Sequence, residues 1–559
     1  MKTVQVPFLV AAIGCRDVLT EDEPRLRDAV ETELHRLARC ATSLHPCLLT
    51  SLADGTSQLA ADVALKLGWR VMAILPMALS DYEREFATPA SLTRFRALLA
   101  QCSQRLELPA PAVIDADVSG QRGQQYRDLG RFFVRHAQIV IALWDGCAED
   151  GEPGEPAEVV RFAREGVTNP VSRGLPSEDC APVSHILCRS RQNPSGAVQD
   201  EIGLYAGVVE PNRRVIESMR KFVGSAHDCS RKWRDVVETS KQHLLGKPPH
   251  AMRLPESLEP LVELYGLADT DAIMAQSLRR NSVFVILGIV LLAVLSHEFY
   301  TGLVPTQWMV LAYLAALLGA FAVHRWAFKH RRCDERYLDY RALAEGLRVQ
   351  LFWSIAGEET KVSDHYLLHQ ATELGWIRVT LRNIALSIPP STDSGSETSR
   401  FGEIRKRWLE DQRNYFVGRD SKLGKAHFHD ARAKSWNRAA LVAFFIGLAV
   451  ISPCLISDII KLDHPAREWL LVASTLAIGL AGIFKAVEKV NAHKETSLRY
   501  LRMGRLYDLA LKEFNAAMGA ADVSRARHCL TAIGREALAE NAEWLLLHRD
   551  RPFEVPVGN

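Results

Sequence analysis

The chain has 559 residues, enough for several domains. It carries 68 Lys and Arg against 66 Asp and Glu, a net charge of +2, so no basic excess points to nucleic acid. Its 11 cysteines are scattered without a CxxC pair, which fits reduced thiols better than a disulfide framework. No HExxH or Cys/His signature is present, and neither a metal centre nor a cofactor is expected.

The first stretch, Val6–Gly14, is apolar but lacks a basic leader and a cleavage site, so it reads as a strand and not a signal peptide. Short apolar runs then alternate with amphipathic ones. Helices are predicted over Glu23–Cys40, Thr56–Leu67, Ser80 to about Leu106, Gln124–His136 and Ala157–Glu165. Strands are predicted over Cys47–Ser51, Val71–Leu75, Ala112–Ile114, Gln138–Trp144 and His185–Cys188. Apolar strands separated by helices imply an α/β domain over 1–196, with a parallel sheet covered on both faces. Such sheets bind ligands at the carboxyl ends of the strands, beside a topological switch point.

Glycines, hydroxyls and charges gather at those ends. The first strand ends in Gly14-Cys15-Arg16-Asp17, and the second in Ser51-Leu52-Ala53-Asp54-Gly55-Thr56, directly before a helix. Free N–H groups at a helix N-terminus suit a phosphate. The fifth strand ends in Trp144-Asp145-Gly146, and Gly154-Glu155-Pro156-Ala157-Glu158 opens the next helix. The expected ligand-binding set is Gly14, Arg16, Ser51, Gly55, Thr56, Tyr126, Asp145, Gly146, Gly154 and Glu158. Tyr126 reads either as a base-stacking residue or as a half-buried helix aromatic.

The runs AAIGCRD, LADGTSQLAADVALKLGWRVMAILP, DYEREF and IVIALWDG…EPAEVV resemble the SLOG superfamily over about Val4 to Arg189. This Rossmann-like group includes the LOG phosphoribohydrolases, DprA-like proteins and nucleotide-sensing domains. In LOG enzymes the last loop reads Pro-Gly-Gly-x-Gly-Thr-x-x-Glu. Here one glycine, Gly154, and the helix glutamate, Glu158, match it, whereas the Gly-Gly pair and the threonine are absent. The resemblance therefore implies a nucleotide-binding pocket, with no catalytic residue assigned.

From 197 to 280 a helical coupling segment is broken at Pro211, Pro248, Pro249 and Pro255, and Glu256–Ser277 leads toward the next element. Four charge-free apolar stretches follow as two pairs: Ser282–Ser296 with Leu303–Val323, and Ala439–Ser457 with Trp469–Phe484. Each approaches or reaches the ~20 residues that cross a ~30 Å hydrocarbon core. These are read as transmembrane hairpins over 281–327 and 439–487. Basic residues flank both pairs (Arg279, Arg280, Arg331, Arg332, Arg432, Lys434, Lys485 and Lys489), and Trp308, Trp326, Trp436 and Trp469 sit at the ends. The positive-inside rule then puts both termini in the cytoplasm. Alanine and glycine recur at four-residue spacing in the spans, which allows close helix approach. No ionisable residue lies inside a span, unlike in most ion-coupled carriers.

The insertion 328–438 is predicted to hold helices to about Ser354, over His365–Ile384 and over Phe401–Phe416, with a linker at Pro389–Ser399. His365 and His369 fall at i, i+4 with nothing to complete a metal set. The tail 488–559 is helical and charged.

The runs YRALAEGLRVQLFW, WIRVTLRNI, WLEDQRNYF and AENAEWLL, with four spans, resemble the four-transmembrane effector modules of bacterial nucleotide-signalling antiviral systems. That resemblance implies a multi-pass protein of the bacterial inner membrane. A nucleotide or nucleotide-derived messenger, the lipid bilayer and further copies of the chain are its expected partners, and nucleic acid is not. The alternative is a membrane-anchored, LOG-like nucleotide hydrolase.

Overall fold

The computed structural model describes residues 6–110, 118–146, 154–167, 180–189, 203–205, 209–248, 252–302, 306–367, 371–388, 397–419, 422–459 and 467–549. In chain order the first elements are β1 (Pro7–Gly14), α1 (Glu23–Cys40), β2 (His45–Thr50), α2 (Thr56–Lys66), β3 (Arg70–Leu75) and α3 (Leu79–Tyr82). Next come α4 (Pro89–Leu99), β4 (Gln104–Glu107), α5 (Val118–His136), β5 (Ile139–Trp144), α6 (Pro156–Glu165), β6 (Val183–Leu187) and β7 (Gly203–Tyr205). The remainder is helical apart from a two-residue ribbon: α7 (Val209–Lys232), α8 (Arg234–Leu245), α9 (Glu259–Gly302), α10 (Gln307–His324), α11 (Cys333–Ala356), α12 (Ala371–Leu386), α13 (Glu397–Ile404) and α14 (Asp411–Val417). After the ribbon strands β8 (Gly418–Arg419) and β9 (Lys422–Leu423) come α15 (Lys425–Ile459), α16 (Arg467–Asn491), α17 (His493–Gly519) and α18 (Val523–Arg549).

The chain divides into two units. The first holds residues 1–232, 255–261 and 361–391. Its sheet runs β4-β3-β2-β1-β5-β6-β7, parallel except for the β6–β7 pair. The chain leaves β1 in one direction to build β2 to β4 and returns on its other side for β5, so the switch point lies between β1 and β5. β5 is buried along its whole length and β1 everywhere but at Gly14, as a doubly covered parallel sheet requires. Asn383 of α12 is fully buried and donates to Pro7 O at 2.9 Å and to Gln138 Oε1 at 2.9 Å. Gln138 Oε1 also accepts from Leu9 N at 2.8 Å, so this network satisfies β1 backbone groups that the sheet leaves open.

Three expectations change here. The edge strand is Gln104–Glu107 rather than part of a helix running to Leu106, and the strand expected at Ala112–Ile114 lies outside the described residues. A seventh, antiparallel strand adds to β6. The helix expected from His365 starts at Ala371, because His365 and Leu367, with φ of −125° and +54°, leave helical geometry after a short turn at Val362–Asp364. His369 and the linker residues 389–396 also lie outside the described residues, while Glu397–Ser399 open α13.

The second unit holds residues 233–254, 262–360 and 392–559. Four helical stretches, all within this unit except the first turns of the first, are long and apolar enough to cross a membrane: Glu256–Gly302, Gln307–Ala356, Lys425–Cys454 and Arg467–Gly519. Their outer faces carry the large exposed apolar side chains, among them Trp308 at 78%, Leu318 at 69% and Phe445 at 61% exposure, which water would not tolerate as a continuous surface. Outside the apolar stretches the same helices are held by ion pairs. Asp269 pairs with Arg341 at 2.8 Å, Asp271 with Arg336, and Asp334 with Arg279 at 2.5 Å, all between α9 and α11. In the second hairpin Gly447 lets α15 approach α16, where Ser474 Oγ donates to Gly447 O at 3.0 Å.

Candidate functional site

At the switch point two turns press on each other. Gly14 ends β1 beside Leu143 of β5, and a Cβ on it would sit 2.1 Å from Thr56 Oγ1 and 2.5 Å from Leu143 O. Gly55 has φ +81°, and a Cβ there would sit 2.4 Å from Arg16 O. Only glycine satisfies both the conformation and the approach. Thr56 N and Thr56 Oγ1 both donate to Cys15 O, at 3.1 and 3.0 Å. Thr56 therefore latches the two turns together. The α2 donors one step further in, Ser57 N and Gln58 N, are the ones with no carbonyl a turn back.

Above this floor Arg16 lies over Tyr126 of α5, its guanidinium carbon 5.1 Å from the ring centroid. Burial works against the Arg16 charge, but Tyr126, Tyr82 and Glu85 outweigh it and raise its pKa. Burial also raises the Tyr126 hydroxyl, against the pull of Arg16. Tyr82 is fully buried at the end of α3, with Ser51 beside it, and desolvation drives its hydroxyl well above the usual range. Both tyrosine hydroxyls are buried without a hydrogen bond of normal geometry within the protein. Glu85 pairs with Arg122 at 3.2 Å nearby. Arg16, Ser51 and Tyr126, three of the residues expected to bind a ligand, thus lie near one another. Tyr82, Glu85 and Arg122 join them and were not anticipated, although Tyr82 and Glu85 both lie in the DYEREF run.

Gly154 and Glu158 form the wall behind Tyr126. Gly154 has φ +85°, and a Cβ on it would sit 2.3 Å from Tyr126 Cβ. Glu158 holds that turn: Oε2 accepts from Gly154 N at 2.7 Å, and Oε1 accepts from Arg127 Nε at 3.0 Å. Both carboxylate oxygens are engaged, and the side chain is 9% exposed. In this arrangement Glu158 positions a turn and is not poised as a base.

Asp145 and Gly146 sit on the β5 side of the switch point. Asp145 reaches Cys15, whose thiol is lowered chiefly by a hydrogen bond with Cys188, while that same contact pushes Cys188 far up. Gly146, at φ +78°, lies against the His185 ring. Among the described residues no three His, Cys, Asp or Glu side chains are grouped to hold a metal. The arrangement offers a cation over an aromatic face, two buried hydroxyls and a helix N-terminus, which is recognition chemistry for an anion attached to a planar ring. No protein-family model matches the chain, and no curated protein matches it either.

Proposed function

We propose that the protein is a membrane-bound nucleotide sensor of SLOG type. Its sheet unit binds a nucleotide-derived signal at Arg16, Tyr126 and the α2 N-terminus, and its four apolar helices, assembled from several copies, perturb the bilayer in response. Bacterial antiphage defence, at the inner membrane with both termini in the cytoplasm, is the setting the sequence resemblances support. The observation that carries the reading is the division of labour at the switch point. Arg16 lies over the Tyr126 ring and the buried Tyr82 and Tyr126 hydroxyls are unsatisfied, whereas Glu158 is held by Gly154 and Arg127. A hydrolase needs its carboxylate free to reach the reacting centre; a sensor does not. A ligand shifts a conformational equilibrium only by its differential affinity for the two states, so binding without turnover is sufficient for signalling.

The test is to purify the full chain in detergent and identify co-purifying nucleotides by mass spectrometry. The same nucleotide is then added to proteoliposomes loaded with a fluorescent dye. The sensor reading expects the nucleotide to be recovered unchanged, dye to be released, and both binding and release to be lost in Arg16→Ala. Conversion of a nucleoside monophosphate to free base without leakage, abolished by Glu158→Ala, would establish the anchored hydrolase instead.

A further inference from the structure

The second unit contains a cavity of about 780 Å³, within the 300–1,000 Å³ typical of small-molecule sites. It lies among the ends of α9, α11, α14, α17 and α18 outside the apolar stretches, and none of the residues expected from sequence to bind a ligand line it. Aromatic rings make much of its wall. Tyr415, Phe416, Tyr500 and Tyr507 form one contiguous group, with Phe416 5.2 Å from Tyr500 and 5.8 Å from Tyr507 between centroids. Tyr337 and Trp544 form another, 5.6 Å apart and edge to face.

The charges in the wall are not evenly matched. Arg341 is paired with Asp269 at 2.8 Å. Arg348 is paired with Glu345 at 3.1 Å and also reaches Gln412 and Tyr265. Glu540 of α18 is different: its Oε1 is buried without a hydrogen-bond partner. An unsatisfied buried carboxyl oxygen costs free energy unless a donor meets it. Of the exposed charges in the lining, Arg419 and Lys425 are cationic and Asp411 is anionic, so the exposed part of the lining is net positive.

An acceptor within, aromatic faces along the wall and a net positive exposed lining suit one kind of ligand: a planar heterocycle with a donor edge and an attached anion. A carboxylate only accepts. Guanine presents N1–H and its 2-amino group side by side, whereas adenine places an acceptor next to its amino donor. We propose that this cavity is a second small-molecule site that takes a guanine nucleotide. Its base packs among the tyrosines with the donor edge on Glu540, and its phosphate points toward Arg419 and Lys425. This inference does not rest on the nucleotide reading of the sheet unit.

Burial, and then Glu345 on α11, push the Glu540 carboxyl up to about 7, against Arg499 on α17 and Arg341 on α11, with Glu543 on its own helix adding to the rise. Acceptance from guanine needs the ionised form, so binding should strengthen with rising pH. His243 of α8 also lines the cavity, and comparison with the Glu540 variant separates its contribution.

The experiment uses the full chain in lipid nanodiscs, carrying Arg16→Ala to silence the proposed sheet-unit site, with GMP, AMP, guanosine and spermidine titrated by calorimetry. GMP should bind at least tenfold more tightly than AMP or spermidine. Glu540→Gln should weaken GMP by roughly ten- to a hundredfold, as loss of a charge-assisted bond predicts. Guanosine, which does not titrate between pH 6 and 8, should bind about tenfold more tightly at pH 8 than at pH 6, and this dependence should vanish in Glu540→Gln. Lys425→Ala, an exposed change, should weaken GMP but not guanosine, which keeps the test open if Glu540→Gln fails to fold. Absence of GMP binding, equal binding of AMP or spermidine, or GMP affinity unchanged in Glu540→Gln would each overturn the proposal.

Discussion

The packing of the Gly55 turn on the β1 turn makes a quantitative prediction. Gly55 and Gly68 both have positive φ, +81° and +75°. They differ in surroundings: a Cβ on Gly55 would lie 2.4 and 2.6 Å from the carbonyl oxygens of Arg16 and Cys15, while a Cβ on Gly68 would meet nothing within 4 Å. Gly68→Ala should therefore cost only the left-handed backbone term, about 1–2 kcal/mol. Gly55→Ala carries a backbone term of about 1–3 kcal/mol, because its φ and ψ of 81° and −125° are nearly exclusive to glycine. It adds an overpacking term of about 1–3 kcal/mol, since the obstructing atoms are backbone and cannot rotate away. The sum, about 2–6 kcal/mol, should lower the unfolding midpoint by roughly 5–15 °C, against roughly 2–6 °C for Gly68→Ala. Thermal unfolding of the detergent-solubilised full chain at one heating rate, followed by tryptophan fluorescence, reads both shifts. Equal shifts, or a larger one for Gly68→Ala, would refute the claim that this turn is fixed by close approach. Because the displaced atoms belong to Arg16 and Cys15, Gly55→Ala should also weaken the nucleotide binding proposed above in protein that remains folded.

Three further outcomes follow from the geometry. His429 and His493 face each other with Nδ1 atoms 2.9 Å apart; burial, with His493 and Lys425, holds His429 down at about 4, and burial followed by Arg432 lowers His493. Both values lie below those of an unfolded chain, so unfolding takes up protons: stability should be full above pH ~6.5 and fall by on the order of 2 kcal/mol toward pH 4, read as a declining melting midpoint that His429→Gln flattens. In the second hairpin a Cβ on Gly447 already reaches to 2.8 Å from Ile478, so Gly447→Leu should destabilise by about 1–3 kcal/mol, whereas Ser474→Ala should cost under about 1 kcal/mol; melting in detergent distinguishes them. In a background free of native cysteine, Thr301→Cys should react with an impermeant thiol reagent in intact cells, and Ala521→Cys only after permeabilisation; the reverse pattern would invert the proposed topology.

Most of the sheet unit was legible because its signals are local. The continuous apolar runs at Val6–Gly14 and Gln138–Trp144 became β1 and β5, and Glu23–Cys40 is a helix over that same span. β4 was missed because Gln104-Arg105-Leu106-Glu107 pairs on one side only and alternates half-buried with exposed, so it lacks the apolar run of an inner strand. β7 is three residues long and carries no periodic signal. In the site the glycines were legible, since a Gly before a helix or after a strand marks a backbone demand. What they accommodate was not: Tyr126 beneath Gly154, and the Arg16 carbonyl against Gly55, join turns far apart in sequence. Thr56 and Glu158 have the residue types of a phosphate site yet satisfy the protein's own backbone, and spacing alone cannot distinguish the two uses. The Asn383–Gln138–Pro7 network is likewise a long-range solution to a local deficit of donors and acceptors.

The helical unit is built from one pattern used twice. In the first hairpin α9 runs unbroken for 44 residues, which at 1.5 Å per residue is roughly twice the hydrocarbon thickness, so its polar first half lies outside the apolar stretch. In the second hairpin α15 does the same over 35 residues. Each return helix is interrupted just beyond its apolar stretch by a residue in left-handed conformation: Arg332, φ +48°, before α11, and Ala492, φ +44°, before α17. Neither is glycine, so each carries a conformational cost that surrounding packing must outweigh. Before Arg332 a wider turn at Arg325–His330 precedes the break. The continuous helix of each pair has no such break point between its polar and apolar parts, apart from Pro453 near the end of α15. A bend between polar and apolar segments therefore belongs to the return helices. A change in packing around α11 and α17, the two helices that line the cavity with Glu345 and Tyr507, would reach the apolar stretches through Arg332 and Ala492.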